Sequence, residues 1–233
     1  MYDRYGCVVR GDTSQQRIAL VFTADEFGEG ASFILDALRD YGAKGSFFLT
    51  GNYLRDAGNR EVVGRMVAEG HYIGPHSDKH LLYCDWGKRD SLLVSKADFI
   101  KDLEANYEEL TRWGIDKADA PFFLPPYEWY NRQIVEWANE QGVRLVNFTP
   151  GLRTAADYTY PEMDDRYRDS EALYEEVLAY ERQQPNGLNG FMLLIHLGTD
   201  PRRKDKFYHR LPGLLKELTE RGYVFEGIDK LVR

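Results

Sequence analysis

Phe191-Met192-Leu193-Leu194-Ile195-His196 is a run of five apolar residues that ends on an imidazole. Unbroken apolar character leaves neither face for water, the pattern of a parallel strand covered on both sides. Similar short runs recur on its N-terminal side at Ile18 to Thr23, Lys44 to Thr50, His71 to Gly74, Pro121 to Leu124 and Arg144 to Phe148, and after it at Tyr223 to Ile228. Between them apolar residues return at helical spacing. Phe33, Ile34, Ala37, Leu38 and Tyr41 precede Gly42, and Asn59 stands as a cap before Val62, Val63, Met66 and Val67. Ser95 and Asp98 form a capping box ahead of Phe99, Leu103, Leu110 and Trp113. Asn131 to Gln141, Ser170 to Gln183 and Leu211 to Arg221 complete the helices, while Thr149 to Arg168 is polar and irregular.

Seven strands alternating with helices predict an α/β fold: a distorted parallel β/α barrel, with an open doubly wound sheet as the alternative. No linker or repeat interrupts the pattern. One catalytic domain is therefore expected over residues 1–233, its core at about 17–228.

The balance of 30 basic against 38 acidic side chains gives a net charge of −8, which repels phosphate backbones and argues against a nucleic-acid partner. No stretch is apolar for long enough to span a bilayer. Met1 to Gly6 lacks the apolar core of a leader peptide. The expectation is thus a cytoplasmic protein, or a periplasmic or extracellular one whose export signal has been removed. Cys7 and Cys84 permit one disulfide without requiring it.

Polar residues collect where the strands end. Asp25 and Glu26 follow the first strand, His76 and His80 the third, Pro125-Pro126-Tyr127-Glu128-Trp129 the fourth, and His196 ends the sixth. These are the C-terminal ends, the face on which parallel barrels carry their chemistry. Two imidazoles four residues apart in His76-Ser77-Asp78-Lys79-His80 can reach one divalent ion, and with a carboxylate they suit zinc, cobalt, nickel or manganese. Asp78 can support a ligating imidazole from behind, but reads more readily as a solvated loop residue. Asp25-Glu26 offers a ligand and a base for an activated water, although acidic residues after a strand can also simply begin a helix. A histidine closing so apolar a strand as His196 suits a general acid or a satisfied core residue. His71 and His209 have no such setting and read as structural. No G-x-S-x-G elbow or Walker loop is present, and Phe33 stands where a dinucleotide fingerprint needs its third glycine.

Three stretches resemble the polysaccharide deacetylases of carbohydrate esterase family 4: Tyr41-Gly42-Ala43-Lys44-Gly45-Ser46-Phe47-Phe48, Glu69 through His80, and Leu193-Leu194-Ile195-His196-Leu197-Gly198. The resemblance covers about Arg17 to Ile228. It implies a barrel of fewer than eight strands and a divalent metal on one Asp and two His, with His76 and His80 in the histidine roles. It further implies that His196 protonates the leaving amine and that Tyr127 lends its backbone N–H to the oxyanion. Three motifs depart from the family. Its Phe-Asp-Asp is replaced by Phe22-Thr23-Ala24, so Asp25 and Glu26 arrive two residues late; its arginine before the prolines is Leu124; its Asp-Trp is matched at best by Asp157-Tyr158. Residue type favours Asp25 as ligand and Glu26 as base, while family order reverses them.

The resulting expectation is a metal-dependent hydrolase, zinc foremost, that removes N- or O-linked acetyl groups from a carbohydrate, with Trp86, Trp129 and Tyr130 as stacking surfaces. The alternatives are a non-catalytic glycan-binding module with a structural metal, and an amidohydrolase acting on a small non-sugar amide.

Overall fold

In the computed structural model, which describes residues 1–232, all seven predicted strands form. Strand β1 (Arg17–Ala24) is the axis. Around it β2 (Gly45–Leu49), β3 (Tyr72–Pro75) and β6 (Phe191–His196) lie in the order β3-β2-β1-β6, every pair parallel. Strand β7 (Val224–Phe225) pairs with the base of β1 through Arg17 and Ile18. Strands β4 (Phe122–Phe123) and β5 (Arg144–Leu145) make a separate parallel pair. β1 to β3 and β6 are buried along nearly their whole length, as their unbroken apolar runs require.

The two sheets bend toward each other as a distorted barrel, and two devices join them. Between β3 and β4 the Tyr72 hydroxyl accepts from the Phe122 N–H (3.0 Å) and donates to the Phe122 carbonyl (3.2 Å). The Leu124 N–H reaches the Pro75 carbonyl at 3.3 Å. Between β5 and β6 the gap is filled by the N-terminal arm. Val8 N–H donates to Leu145 (3.0 Å) and Val8 accepts from Asn147 N–H (3.0 Å), while Gly11 N–H bonds the Gly190 carbonyl at 2.7 Å. This arm lies outside the predicted core, because residues 1–16 show neither helical nor strand periodicity.

Helices α1 (Ala31–Asp40), α3 (Arg60–Ala68), α4 (Lys96–Thr111), α5 (Arg132–Glu140), α6 (Ser170–Gln183) and α7 (Leu211–Glu220) fall where the spacing predicts them. The Ser95/Asp98 capping box forms on α4. Asn59 does not cap α3: its side chain donates to the Tyr53 carbonyl, and Asp56 caps the turn before it. Two short helices go unpredicted, α2 (Gly51–Arg55) after β2 and α8 (Ile228–Leu231) after β7, both too brief to show a period. Cys7 and Cys84 are both free and buried.

Gly190 holds φ at +68°, and a Cβ there would lie 2.7 Å from Gly11 backbone. Gly190→Ala is expected to cost about 2 kcal/mol or more in urea unfolding, because strained backbone and a backbone clash add where the arm seats.

Candidate active site

Strand register places the functional groups on one rim: Ala24 lies beside Leu49, Leu49 beside Pro75, and Thr23 beside His196. Above that rim a cleft of about 550 Å³ is lined by Asp25, Glu26, His76, His80, Tyr127, Glu128 and His196, with Trp86 and Tyr158 at its sides. All five catalytic and metal candidates from the sequence thus meet in one cavity.

Asp25 is half-buried and oriented. Its Oδ1 accepts from Thr50 Oγ1 (2.9 Å) and Asn52 Nδ2 (3.3 Å), and its Oδ2 stands 3.7 Å from His80 Nδ1. Glu26 is exposed on the rim.

The imidazole loop leaves β3 through two left-handed residues, Ser77 (φ 76°) and His80 (φ 54°). Such backbone costs of order 1 kcal/mol or more per residue and persists only where its surroundings hold it. Helix α4 supplies that hold. Asn106 accepts from His76 N–H (2.8 Å), and Asp102 accepts from the N–H groups of Asp78 and Lys79 (3.2 and 3.1 Å). Asp102, Asn106 and Glu109 recur at helical spacing, so all three can face the loop. The expectation for Asp78 is overturned: it is buried, and it pairs with Arg55 at 2.5 Å, which also reaches Glu109. It fits there because residue 51 is glycine, whose Cβ would sit 1.9 Å from the carboxylate.

His76 Nδ1 lies 2.7 Å from the Leu124 carbonyl. A carbonyl only accepts, so Nδ1 carries the proton and Nε2 keeps its lone pair. Burial, reinforced by repulsion from His80, holds His76 well below the ordinary imidazole range. Burial also lowers His80, against the pull of Asp25. Both rings are therefore neutral donors.

His196 is the opposite case. Asp157 accepts from its backbone N–H at 2.9 Å and pairs with Nδ1 at 2.5 Å. Burial works to lower its pKa, but the Asp157 carboxylate outweighs burial and raises it to about 9. The Asp157-Tyr158 pair thus stands against His196, with the Tyr158 ring edge-on at 5.8 Å. The chain just after Asp157 is anchored by a residue that no motif singles out. Arg203, fully buried, donates to the carbonyls of Thr159 (2.6 Å) and Arg168 (2.9 Å).

The Pro125–Trp129 loop carries two consecutive left-handed residues, Tyr127 (φ 58°) and Glu128 (φ 53°). The Tyr127 ring lies 4.3 Å from that of His80, and its N–H takes no part in the turn's bonds, which run from Glu128 to Pro125 and from Trp129 to Pro126. Trp86 is exposed and meets Tyr127 edge-on. Trp129 faces a neighbouring groove of about 720 Å³, and the Arg89 guanidinium lies 3.9 Å from its ring. Tyr130 belongs to the core, its hydroxyl donating to Asp3 at 2.8 Å, so it offers no stacking face. Glu128, read from the sequence only as a member of its motif, lines both cavities; burial raises its pKa to about 7. His71, with its pKa lowered to about 4 by burial, accepts from Gly45 N–H and stays structural.

The donor set suits a divalent ion: two lone-pair imidazole nitrogens and a carboxylate oxygen. Among the described residues, no three His, Cys, Asp or Glu side chains are gathered tightly enough to close around one unaided.

Residues 10–146 match the polysaccharide deacetylase family model, more than half of the chain, and the chain belongs to that family. It is 23% identical over 233 residues to the peptidoglycan-N-acetylmuramic acid deacetylase PdaA of Bacillus subtilis, covering all of this chain and 77% of that protein. The solved structure of a peptidoglycan N-acetylglucosamine deacetylase superposes with a TM-score of 0.75 at 22% identity, over 97% of this chain and 92% of that one. A family 4 pseudoenzyme from Bacillus anthracis superposes at 0.71 and 17% identity, over 99% and 70%. These likenesses show the seven-stranded barrel to be the fold of the carbohydrate esterases.

The His196–Asp157 pair has a pH signature. A pKa raised on folding stabilises fully below the ordinary imidazole value of about 6.5, and that stability fades as pH rises through about 9. Asp157→Asn is expected to cost roughly 2–3 kcal/mol near pH 6 and much less near pH 10. In NMR titration the variant's His196 should drop to about 6 or lower.

Proposed function

We propose that the chain is a single catalytic domain that hydrolyses acetyl groups from an acetylated glycan, with a divalent cation, zinc foremost, on Asp25, His76 and His80. The observation that carries this is the convergence of Asp25, His76 and His80 on one cleft that also holds His196, its Nδ1 paired with Asp157 at 2.5 Å. When bound, the cation supplies Lewis acidity to the acyl oxygen and the attacking water.

The chain's own groups do the remainder. The free N–H of Tyr127 donates to the oxygen that gains charge as the carbonyl becomes tetrahedral. A cleft carboxylate removes a proton from the water, for which Glu26 is the candidate read from the sequence. The water oxygen bonds to the acyl carbon, the carbon–nitrogen or carbon–oxygen bond breaks, and His196 passes its Nε2 proton to the departing atom. Asp157 holds the ring through Nδ1 and keeps it charged beforehand. Trp86 and Trp129, 5.5 Å apart, offer apolar faces to sugar rings. The named relatives act on peptidoglycan. A substrate of that class puts the protein in the periplasm or outside the cell.

A second reading, a glycan-binding module without turnover, is favoured by Thr23-Ala24 in place of the family's acidic pair and by the likeness to a pseudoenzyme. The His196–Asp157 pair opposes it, since binding alone has no use for a charged acid.

Acetate release from N-acetylated chitooligosaccharides and from peptidoglycan by zinc- or cobalt-loaded protein separates the two readings. His76→Ala and His80→Ala are expected to lose stoichiometric metal in elemental analysis and to slow release about 100-fold or more. Unchanged release by those variants would exclude the metal site, and binding without release by the wild type would establish the module.

A further inference from the structure

The base is the unsettled part of this chemistry. Thr23, beside His196 in the strand register, offers only a hydroxyl, and its Oγ1 is buried without a partner. Glu26 is exposed, where water shields its charge and nothing orients it.

We propose that Glu128 is the general base of this site, its carboxylate standing in the cleft between the His76–His80 pair and the His196–Asp157 pair. The inference rests on the deacetylase reading above. Placement is the first argument. The preceding residue, Tyr127, packs its ring on His80, and Glu128 lines the same cleft as His76, His80 and His196. Glu128 is thus flanked by both halves of the machinery.

Backbone is the second argument. Tyr127 and Glu128 are successive non-glycine residues in the left-handed region, which glycine would occupy without strain. The Asn147 side chain donates to the Glu128 carbonyl at 3.0 Å and anchors the kink. Strain retained at a carboxylate that faces two cavities marks a use for that side chain.

Chemistry is the third. Burial raises the carboxyl, the Asp157 charge adds to this, and the charge on His196 opposes it, leaving a group that titrates at about 7. Asp25, Glu26, His76 and His80 across the cleft, with Tyr127 and Tyr158 beside it, are the other titratable groups that line its cavity. In the step assigned to it, one water O–H bond breaks and its proton moves to a Glu128 oxygen. The water oxygen then bonds to the acyl carbon, and His196 protonates the leaving atom. Glu128 returns its proton to solvent as acetate and the deacetylated sugar depart.

Glu128→Gln should reduce kcat on N-acetylated chitooligosaccharides about 100-fold or more with KM little changed, and should abolish the acidic limb of the kcat/KM profile near pH 7. Glu128→Asp should recover part of the rate. Glu128→Gly, which relieves the backbone, should melt no lower than wild type and be equally inactive, separating catalysis from folding. Independently of turnover, infrared difference spectra between wild type and Glu128→Gln should show a carboxyl C=O band that disappears as pH rises through about 7. An active wild type whose Glu128→Gln variant keeps rate and acidic limb overturns the assignment and leaves the deacetylase reading standing. A wild type that releases no acetate overturns both.

Discussion

One buried hydrogen bond, from His76 Nδ1 to the carbonyl of Leu124, ties together the parts on which the site depends. It crosses the seam between β3 and β4, where the two sheets meet without a regular ladder. A side chain there does what strand pairing does elsewhere. The same bond fixes the tautomer, so a joint of the barrel also decides which nitrogen His76 presents to the cleft. The family resemblance implies an arginine at the position of Leu124. Here the side chain at that position is buried and apolar, but the main-chain carbonyl survives any substitution, and with it the orientation of the ring.

Around that bond the cleft divides its charge. On one side, burial keeps two imidazoles neutral; on the other, Asp157 overrides burial and keeps His196 charged. The difference between identical residue types comes entirely from their neighbours. A carbonyl faces His76 and a carboxylate faces His196. Asp157 is carried on one turn of 3-10 helix, Thr154–Tyr158, and Arg203 anchors the chain just beyond it through the carbonyls of Thr159 and Arg168.

The sequence revealed whatever repeats. Seven apolar runs, six helical stripes and a capping box were legible because burial imposes a period on them. The clustering of Asp25, His76, His80 and His196 at strand ends was legible because the fold assigns that face its chemistry. Features built by single long-range contacts were not. Nothing periodic marks the N-terminal arm, the burial of Asp78 against Gly51, or Arg203. Tyr130 and Trp86 look alike as aromatics beside a motif, yet one is core and the other exposed, because Asp3 reaches the first from the far end of the chain. Glu128 was hidden differently: its backbone angle, invisible in a sequence, is what sets it apart.

The arm that fills the gap between β5 and β6 also bears on the order of assembly. Val8 and Gly11 find their partners at Leu145 and Gly190, more than a hundred residues downstream. During synthesis this segment has nothing to dock on until the chain as far as Gly190 has left the ribosome. The barrel wall therefore closes late, and until then the arm and the β5 edge lack their partners. Contacts of such sequence separation slow folding and leave sticky intermediates exposed. Closing the wall is thus a step that no local element can take alone.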